Sequence, residues 1–277
     1  MNIGFIGTGN MGKILIEAFV DSLAVPPSKL TITNRTIEKA LDIKNSLPDI
    51  KVVTSNEEVV SGSDIIFICV KPLEIHPLLH QITSSLTNNK CIVSITSPIS
   101  VEQLESAVSC QVARIIPSIT NRALSGVSLF TFGKSCSSKY QDYLEFLFEQ
   151  LSTPVHIKND ITRVASDIVS CGPAFFSYLL QKFVNAAASE TEITEEQATL
   201  LASEMIIGMG KLLEKEIFTL PTLQQKVCVK GGVTGEGIKA MEEHIGELFE
   251  ELFRSTHRKY AEDICEVNKQ FNETPSR

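Results

Sequence analysis

The sequence lacks the long apolar segment and the basic leader that mark membrane-bound or exported proteins. Its longest apolar run, Ile65 to Val70, has the length of a β-strand and is far below the ~18 residues of a membrane span. The stretch that begins at Met1 carries no basic residues before its first apolar run, so no signal peptide is predicted. We therefore expect a cytoplasmic protein with no membrane partner.

The sequence also lacks the cysteine and histidine patterns of disulfide-rich or metal-binding proteins. It contains seven cysteines, an odd number, and none of them forms a Cys-x-x-Cys pair. We interpret them as reduced thiols. His76 and His80 are spaced like metal ligands on a helix, but no acid or cysteine clusters with them, so no metal site is predicted.

An excess of positive charge is missing as well. The net charge is −8, and it is uneven, because residues 1–188 carry −1 and residues 189–277 carry −7. An acidic second half argues against nucleic acid or an anionic membrane surface as the main partner.

The first half of the chain alternates short apolar runs with helical patterns. The composition, 43% hydrophobic and 21% charged over 277 residues, is ordinary for a globular protein. Alternating strands and helices predict an α/β fold with a doubly wound parallel sheet of the Rossmann type. The predicted strands cover residues 2–6, 30–33, 51–54, 64–70, 91–95 and 112–116.

The pattern becomes entirely helical after about residue 160. Pro173 is expected at the first position of a helix over 174–188, and Thr194 with Gln197 forms a capping box for the next. A long helix is predicted over 236–267, with a coiled-coil-like apolar seam. The predicted domains are residues 1–159, a dinucleotide-binding domain, and residues 160–277, a helical domain for substrate binding and dimerisation.

The strongest local signal is the glycine pattern Gly7, Gly9 and Gly12, which follows the first strand and opens a helix. In a dinucleotide site the first glycine permits a tight turn, the second lets the backbone approach a pyrophosphate, and the third lets helix and strand pack closely. The helix N-terminus then binds the anion. The alternative is a glycine-rich turn without a ligand.

The end of the second strand indicates which dinucleotide binds. An NAD site usually has an acid there, which binds the ribose 2′-hydroxyl. This chain has Asn34 and Arg35 instead, and an arginine can pair with a 2′-phosphate. NADP(H) is therefore predicted, unless Arg35 is only a solvated surface charge.

A second glycine-rich loop, Gly231 to Gly237, precedes the last long helix. Its N–H groups and the Thr234 hydroxyl could bind a carboxylate, or the loop could be an ordinary turn between helices. Lys71 and Pro72 follow the fourth strand, at the edge of the sheet where ligands bind.

In order and spacing, these residues resemble the pyrroline-5-carboxylate reductase family, and most closely its branch encoded in late-competence operons. The resemblance extends over nearly the whole chain. It includes the first glycine loop, Val70 to Pro72, Ser94, Arg114 to Pro117, Gly172 to Ala174 and Gly231 to Thr234.

The resemblance implies roles by position. The implied cofactor-binding residues are Gly7, Thr8, Gly9, Asn10, Met11, Gly12, Asn34, Arg35, Asn56, Val70, Lys71, Pro72, Thr96 and Ser97. The implied substrate-binding residues are Gly232, Val233 and Thr234, whose amides and one hydroxyl would bind a carboxylate. The helical domain would form a homodimer or a larger homo-oligomer.

The implied reaction is hydride transfer from NADPH to the cyclic imine 1-pyrroline-5-carboxylate, which gives L-proline. The protein holds the two carbons close together, and a hydroxyl or a water supplies a proton to the imine nitrogen. Ser166 is the candidate proton source and Thr234 the second catalytic candidate; a buried Ser166 bonded to the backbone is the alternative.

The chain departs from the family pattern at several of these positions. Val229 and Lys230 replace Ser-Pro in the carboxylate loop, Val233 replaces a small or hydroxyl residue, and Ser118 replaces Asn. Two further hypotheses follow: a non-catalytic or regulatory paralogue that binds NADP(H), and a reductase of another small carboxylate. For the latter, Lys182 and Asn185 have the spacing of the Lys-x-x-Asn pair of β-hydroxyacid dehydrogenases.

Overall fold

The computed structural model describes residues 1–272, which form an eight-stranded sheet flanked by helices, followed by a helical segment. The sheet has the strand order β3-β2-β1-β4-β5-β6-β7-β8. The strands are β1 (Ile3–Ile6), β2 (Leu30–Thr33), β3 (Lys51–Val52), β4 (Ile65–Ile68), β5 (Cys91–Ser94), β6 (Gln111–Ile116), β7 (Val127–Phe132) and β8 (Thr153–His156). The predicted α/β fold is confirmed.

The central strands are apolar throughout because both faces of the sheet are covered. On β4, Ile65 and Phe67 join the apolar cluster on one face, whereas Ile66 and Ile68 join the cluster on the other. The Phe67 ring stacks on that of Phe5 from β1, with centroids 4.9 Å apart. A parallel strand between two helical layers requires this pattern.

The sheet is parallel from β3 to β6, but β7 pairs with β6 in antiparallel orientation. The six predicted strands form the parallel part of the sheet, whereas β7 and β8, which extend it at this edge, were not predicted. Residues 117–126 connect β6 to β7 without a crossover α-helix, so the chain returns antiparallel. On β8, Pro154 and three exposed or half-exposed neighbours give the composition of an edge strand.

Twelve α-helices surround or follow these strands in residues 1–272. They are α1 (Asn10–Asp21), α2 (Ile37–Ser46), α3 (Asn56–Gly62), α4 (Pro72–Ile82), α5 (Val101–Ala107), α6 (Ser138–Glu149), α7 (Thr162–Ser166), α8 (Gly172–Glu190), α9 (Glu195–Glu214), α10 (Leu220–Val227), α11 (Val233–Ile245) and α12 (Leu248–Asn272). None of these helices has both the length and the apolar character that a membrane crossing requires.

The chain forms two compact units whose boundaries differ from the predicted division at residue 159. Among the described residues, the first unit comprises Met1–Pro173 together with residues 255–272, and the second comprises Ala174–Arg254. The second half of α12 belongs to the first unit because Val267 is fully buried in the apolar cluster of Ile66 and Ile68. In addition, Gln103 Nε2 donates to Asn268 Oδ1 at 2.9 Å.

A π-helical turn, Asp167–Cys171, joins α7 to α8, so the helical path begins before the predicted start at residue 174. Pro173 therefore lies inside it, and not at a first helical position as predicted. Since proline has no N–H, the carbonyl of Val169, four residues earlier, has no α-helical donor. Ser118 Oγ donates to that carbonyl at 2.7 Å. The serine that replaces the family's asparagine thus stabilises this turn.

A buried ionic cluster ties the π turn to α12. Arg163 Nη2 lies 2.9 Å from Asp167 Oδ1, and the Asp167 side chain is fully buried. Oδ1 has no aligned hydrogen bond within residues 1–272, but Thr256 Oγ1 donates to Oδ2 at 2.8 Å. The guanidinium of Arg163 also lies over the ring of Tyr260, 5.3 Å from its centroid. Burial raises the pKa of Tyr260, and the nearby arginines partly offset that rise.

The predicted long helix over 236–267 is two helices. The break falls at Gly246, where φ is +46°, a conformation that glycine adopts without strain. The seam is therefore divided between α11 and α12. The predicted capping box of α9 is confirmed, because Thr194 and Gln197 exchange side-chain-to-backbone hydrogen bonds of 3.1 and 3.2 Å.

All seven cysteines are free thiols, four of which are half-buried or exposed. Burial raises the pKa of the Cys69 thiol and raises the pKa of Cys110 to about 11. These two thiols therefore stay protonated at neutral pH, which makes them poor nucleophiles.

Candidate functional site

A cavity of about 680 Å³ opens at the carboxyl ends of β1, β2 and β4. From β1, the chain adds β2 and β3 on one side of the sheet and then β4 to β6 on the other side. Open α/β sheets bind ligands at the point where the strand order switches in this way. The lining residues are Ile6, Gly7, Gly9, Thr33, Asn34, Arg35, Thr36, Lys39, Thr54, Ser55, Asn56, Cys69, Val70, Lys71, Leu73, Glu74, Pro77, Leu78 and Gln81.

Two glycines of the first loop are required by the protein's own geometry. Gly7 has φ of +99°, and a Cβ there would lie 2.6 Å from the Cys69 carbonyl oxygen. A Cβ on Gly12 would overlap the Gly7 carbonyl oxygen. These positions produce the tight turn and the close packing of α1 against β1.

Gly9 is not required by the fold. Its φ of −69° and ψ of −171° are open to any residue, and a Cβ there would meet nothing within 4 Å. The open space lies in the cavity, at the N-terminus of α1, whose first N–H groups have no acceptor within the helix. Beside it, Thr8 Oγ1 is buried without a hydrogen-bond partner among the described residues. A pyrophosphate fits these groups, and a side chain at position 9 would fill its place.

The far end of the cavity combines basic and acidic groups. Asn34 Oδ1 accepts the Thr8 N–H at 2.9 Å and so joins the glycine loop to the end of β2. The Arg35 side chain is 87% exposed, and its Nη1 lies 2.8 Å from Glu74 Oε1. Lys39, in the first turn of α2, also lines the cavity. Asn56 Nδ2 donates to Gln81 Oε1 at 3.1 Å.

The structure brings part of the predicted cofactor set together in this cavity. The predicted residues that line it are Gly7, Gly9, Asn34, Arg35, Asn56, Val70 and Lys71. The others do not line it: Thr8 precedes α1, Asn10, Met11 and Gly12 lie in the first turn of α1, Pro72 begins α4, and Thr96 and Ser97 follow β5. In particular, the Ser97 carbonyl faces the interior, where it accepts from Tyr260 Oη at 3.0 Å and Arg114 Nη1 at 3.3 Å.

Sequence reasoning missed Lys39 and Glu74, and it gave no role to the buried Arg114. Lys39 lies in the first turn of α2, close in sequence to the end of β2, and a second basic residue at that place could have been noticed. Glu74 follows Lys71 by three, the spacing of a capping box, and its Oε2 accepts the Lys71 N–H at 3.3 Å. Burial lowers the pKa of Arg114, whose Nη2 donates to Asn159 Oδ1 at 2.7 Å. No local sequence signal shows that an arginine on a buried strand will donate hydrogen bonds to residues that are distant in sequence.

The second glycine loop lies in the second compact unit and forms the N-terminus of α11. Gly231 has φ of +76°, and Gly232 is the N-terminal cap. The amide of Gly232 donates to the Val229 carbonyl at 3.0 Å, so it is not the free carboxylate donor that was predicted. The amides of Val233 and Thr234 lie in the first helical turn and have no acceptor within the helix. These two amides and the Thr234 hydroxyl are therefore the donors in this loop that could bind a carboxylate.

Ser166 is buried and donates its hydroxyl hydrogen to the Thr162 carbonyl at 2.7 Å. This is the backbone-bonded alternative weighed for Ser166. In this conformation the hydroxyl offers lone pairs but no proton, so the predicted role as proton donor would require the hydroxyl to rotate.

Two other sequence patterns do not form sites. Lys182 Nζ lies over the Tyr178 ring, 5.4 Å from its centroid, whereas Asn185 accepts from Gln181 at 2.7 Å, so the pair of the hydroxyacid dehydrogenases does not act together. The Nε2 atoms of His76 and His80 are 3.2 Å apart. Within residues 1–272, no group of three or more His, Cys, Asp or Glu side chains is arranged to hold a metal ion.

Comparison with known proteins gives matches to both halves of the chain. Residues 159–263 match the family described as pyrroline-5-carboxylate reductase dimerisation. Residues 2–98 match the family described as NADP oxidoreductase, coenzyme F420-dependent.

Individual proteins are similar over nearly the whole length. ComE operon protein 4 of Bacillus subtilis is 60% identical over 98% of this chain and 100% of its own. Pyrroline-5-carboxylate reductase 3 of the same organism is 27% identical over 97% of this chain and 98% of its own. A crystal structure of Plasmodium falciparum pyrroline carboxylate reductase with NADP bound is 21% identical, with a TM-score of 0.82, covering 96% of this chain and 98% of that chain.

Proposed function

Because this chain belongs to the pyrroline-5-carboxylate reductase family, in the branch of ComE operon protein 4, we propose that it reduces 1-pyrroline-5-carboxylate to L-proline with NADPH. The observation that carries this proposal is the match of residues 159–263 to the dimerisation domain of that family. A Rossmann cleft serves many reactions, whereas the helical domain matches a family model that is described by this reductase activity.

The cofactor is NADP(H), and the cavity has the groups to hold it. The N-terminus of α1 binds the pyrophosphate in the space left by Gly9, and the Thr8 hydroxyl gains an acceptor there. Arg35 and Lys39 bind the 2′-phosphate, and Val70 and Lys71 flank the nicotinamide ribose. When bound, NADPH supplies a hydride from C4 of its nicotinamide ring.

The substrate carboxylate binds at the N-terminus of α11. The amides of Val233 and Thr234 donate to it, the helix dipole favours its negative charge, and the Thr234 hydroxyl adds a third donor. As the imine carbon accepts a hydride, the π electrons of the C=N bond move to nitrogen, which therefore reacts best when already protonated. A water held by the Thr234 or Ser166 hydroxyl supplies that proton.

The helical domain forms a homodimer in this proposal. The second compact unit exposes many large apolar side chains, which a second copy of the chain would cover. The most exposed of them on α8 and α9 are Phe176, Tyr178, Phe183, Leu200, Leu201 and Ile207. The physiological role that we propose is proline biosynthesis in the cytoplasm, carried out by a member of the late-competence branch of the family.

A second candidate function is a non-catalytic or regulatory paralogue that binds NADP(H). The carboxylate loop favours it, since Val229 and Val233 are 63% and 90% exposed where the family has hydroxyl or small residues, and since the Gly232 amide is already occupied. Steady-state kinetics separates the two candidates. We expect NADPH oxidation with the imine at a kcat of about 1 s⁻¹ or more, whereas binding without turnover would establish the second candidate.

The Thr234 hydroxyl gives the first variant test. Thr234→Val keeps the shape of the side chain and removes one donor to the carboxylate, so we expect kcat/KM to fall by about 5- to 150-fold, the effect of about 1–3 kcal/mol. The Kd for NADPH should not change. Thr199→Val, which removes an exposed hydroxyl on α9 that donates to the Glu195 carbonyl, is the matched control. A fully active Thr234→Val would overturn the assignment of this loop.

A further inference from the structure

We propose that Glu74 sets the coenzyme preference of the cleft: by holding Arg35 it weakens the binding of a 2′-phosphate and narrows the preference for NADP(H) over NAD(H). This inference rests on the proposed dinucleotide function of the cavity. It concerns an acid that lies outside the end of β2, where acids that select NAD usually occur.

The contact spans the adenosine end of the cavity. Arg35 follows β2, whereas Glu74 lies in the first turn of α4, which follows β4, and both line the cavity. Arg35 Nη1 lies 2.8 Å from Glu74 Oε1. The second carboxylate oxygen accepts the Lys71 N–H at 3.3 Å, so Glu74 is fixed at the start of α4 while it holds the guanidinium.

The exposed fractions of the two side chains show which of them has more freedom to move. The Arg35 side chain is 87% exposed, whereas that of Glu74 is 40% exposed. Within residues 1–272, Glu74 is the acid that lies within 4 Å of the Arg35 guanidinium. That guanidinium is therefore paired with Glu74, and a ligand that needs Arg35 must compete with this carboxylate for it.

The competition depends on the charge of the ribose substituent. A 2′-phosphate binds through the Arg35 guanidinium. The phosphate would then lie close to the Glu74 carboxylate, which contacts the same guanidinium and repels the phosphate because both are negatively charged. A ribose 2′-hydroxyl has no charge and can donate to a carboxylate, as it does in NAD sites. One acid thus opposes NADP(H) and favours NAD(H), although Arg35 and Lys39 favour NADP(H).

The test measures the Kd values of NADP⁺ and NAD⁺ by isothermal titration calorimetry in the full-length protein. Glu74→Gln removes the charge, while its amide oxygen can still accept the Lys71 N–H. We expect NADP⁺ to bind about 5-fold more tightly, the strength of an exposed ion pair, and NAD⁺ to bind no more tightly than before. The gain should shrink at high salt, because exposed charges are screened. Glu38→Gln, an equal charge change in the first turn of α2, is the control.

A second variant tests whether the effect passes through Arg35. In an Arg35→Gln background, Glu74→Gln should lose most of its gain for NADP⁺. A gain that persists in full there, or one that Glu38→Gln reproduces, would overturn the proposal. So would an unchanged ratio of the two Kd values in Glu74→Gln. If the wild-type protein binds neither dinucleotide, it is the proposed function of the cavity that fails.

Discussion

Gly9→Val is expected to abolish dinucleotide binding and leave the fold intact. The backbone at position 9 is extended, a conformation that valine favours, and a Cβ there meets nothing within 4 Å. The side chain would instead occupy the space at the N-terminus of α1. We expect the Kd for NADP⁺ to rise by about 100-fold, which corresponds to the upper part of the roughly 1–3 kcal/mol that overfilling a packed site costs.

Two other glycines make this prediction specific. Gly62→Val also places a side chain in open space, at the end of α3 and away from the cavity lining, and should leave NADP⁺ binding unchanged. Gly12→Ala should lower stability, because its Cβ would overlap the Gly7 carbonyl oxygen. Calorimetric titration together with thermal unfolding distinguishes the three variants. A Gly9→Val protein that folds and binds NADP⁺ with the wild-type Kd would show that the space beside Gly9, at the N-terminus of α1, holds no pyrophosphate.

The second large effect is expected at the buried ionic cluster. Among the described residues, Arg163 is the cation paired with the fully buried Asp167 carboxylate, so Arg163→Met would leave that carboxylate with the Thr256 hydroxyl. Breaking a buried pair in this way costs about 3–5 kcal/mol of the free energy of unfolding. Urea denaturation measures it, followed by circular dichroism because the chain contains no tryptophan.

The double variant shows whether the loss comes from the isolated charge. Arg163→Met combined with Asp167→Asn removes both charges and keeps an acceptor for Thr256, so we expect it to recover about 2 kcal/mol or more of the loss. Lys259→Met, which removes an exposed partner of Asp263 on α12, serves as control and should leave the denaturation midpoint unchanged. If the double variant is as unstable as Arg163→Met, the electrostatic explanation is contradicted.

The features that sequence alone predicted depend on local patterns. Strand β4 is an apolar run covered on both faces, and the loop from Gly7 to Gly12 follows a strand and opens a helix, which is the context that a dinucleotide site requires. The capping box of α9 was equally local. For such features the residues that decide the conformation are only a few positions apart.

The features that were missed depend on contacts between distant parts of the chain. Glu74 contacts Arg35, which is 39 residues away in sequence, because β2 and β4 lie on the two sides of β1. This proximity depends on the strand order of the sheet and not on the local sequence. Val267 returns to the first compact unit through packing that its helical periodicity does not reveal. Gly246 interrupts an otherwise regular apolar seam, and only its left-handed φ shows that the helix ends there.

The most direct measurement is the transfer of deuterium from NADPH to the product. The purified protein is incubated with 1-pyrroline-5-carboxylate and NADPH that carries deuterium at both C4 positions, and the proline formed is analysed by mass spectrometry. We predict L-proline that carries one deuterium, formed in proportion to the NADPH consumed. Unlabelled proline, or none at all from a protein that still binds NADPH, would contradict the assignment as a pyrroline-5-carboxylate reductase.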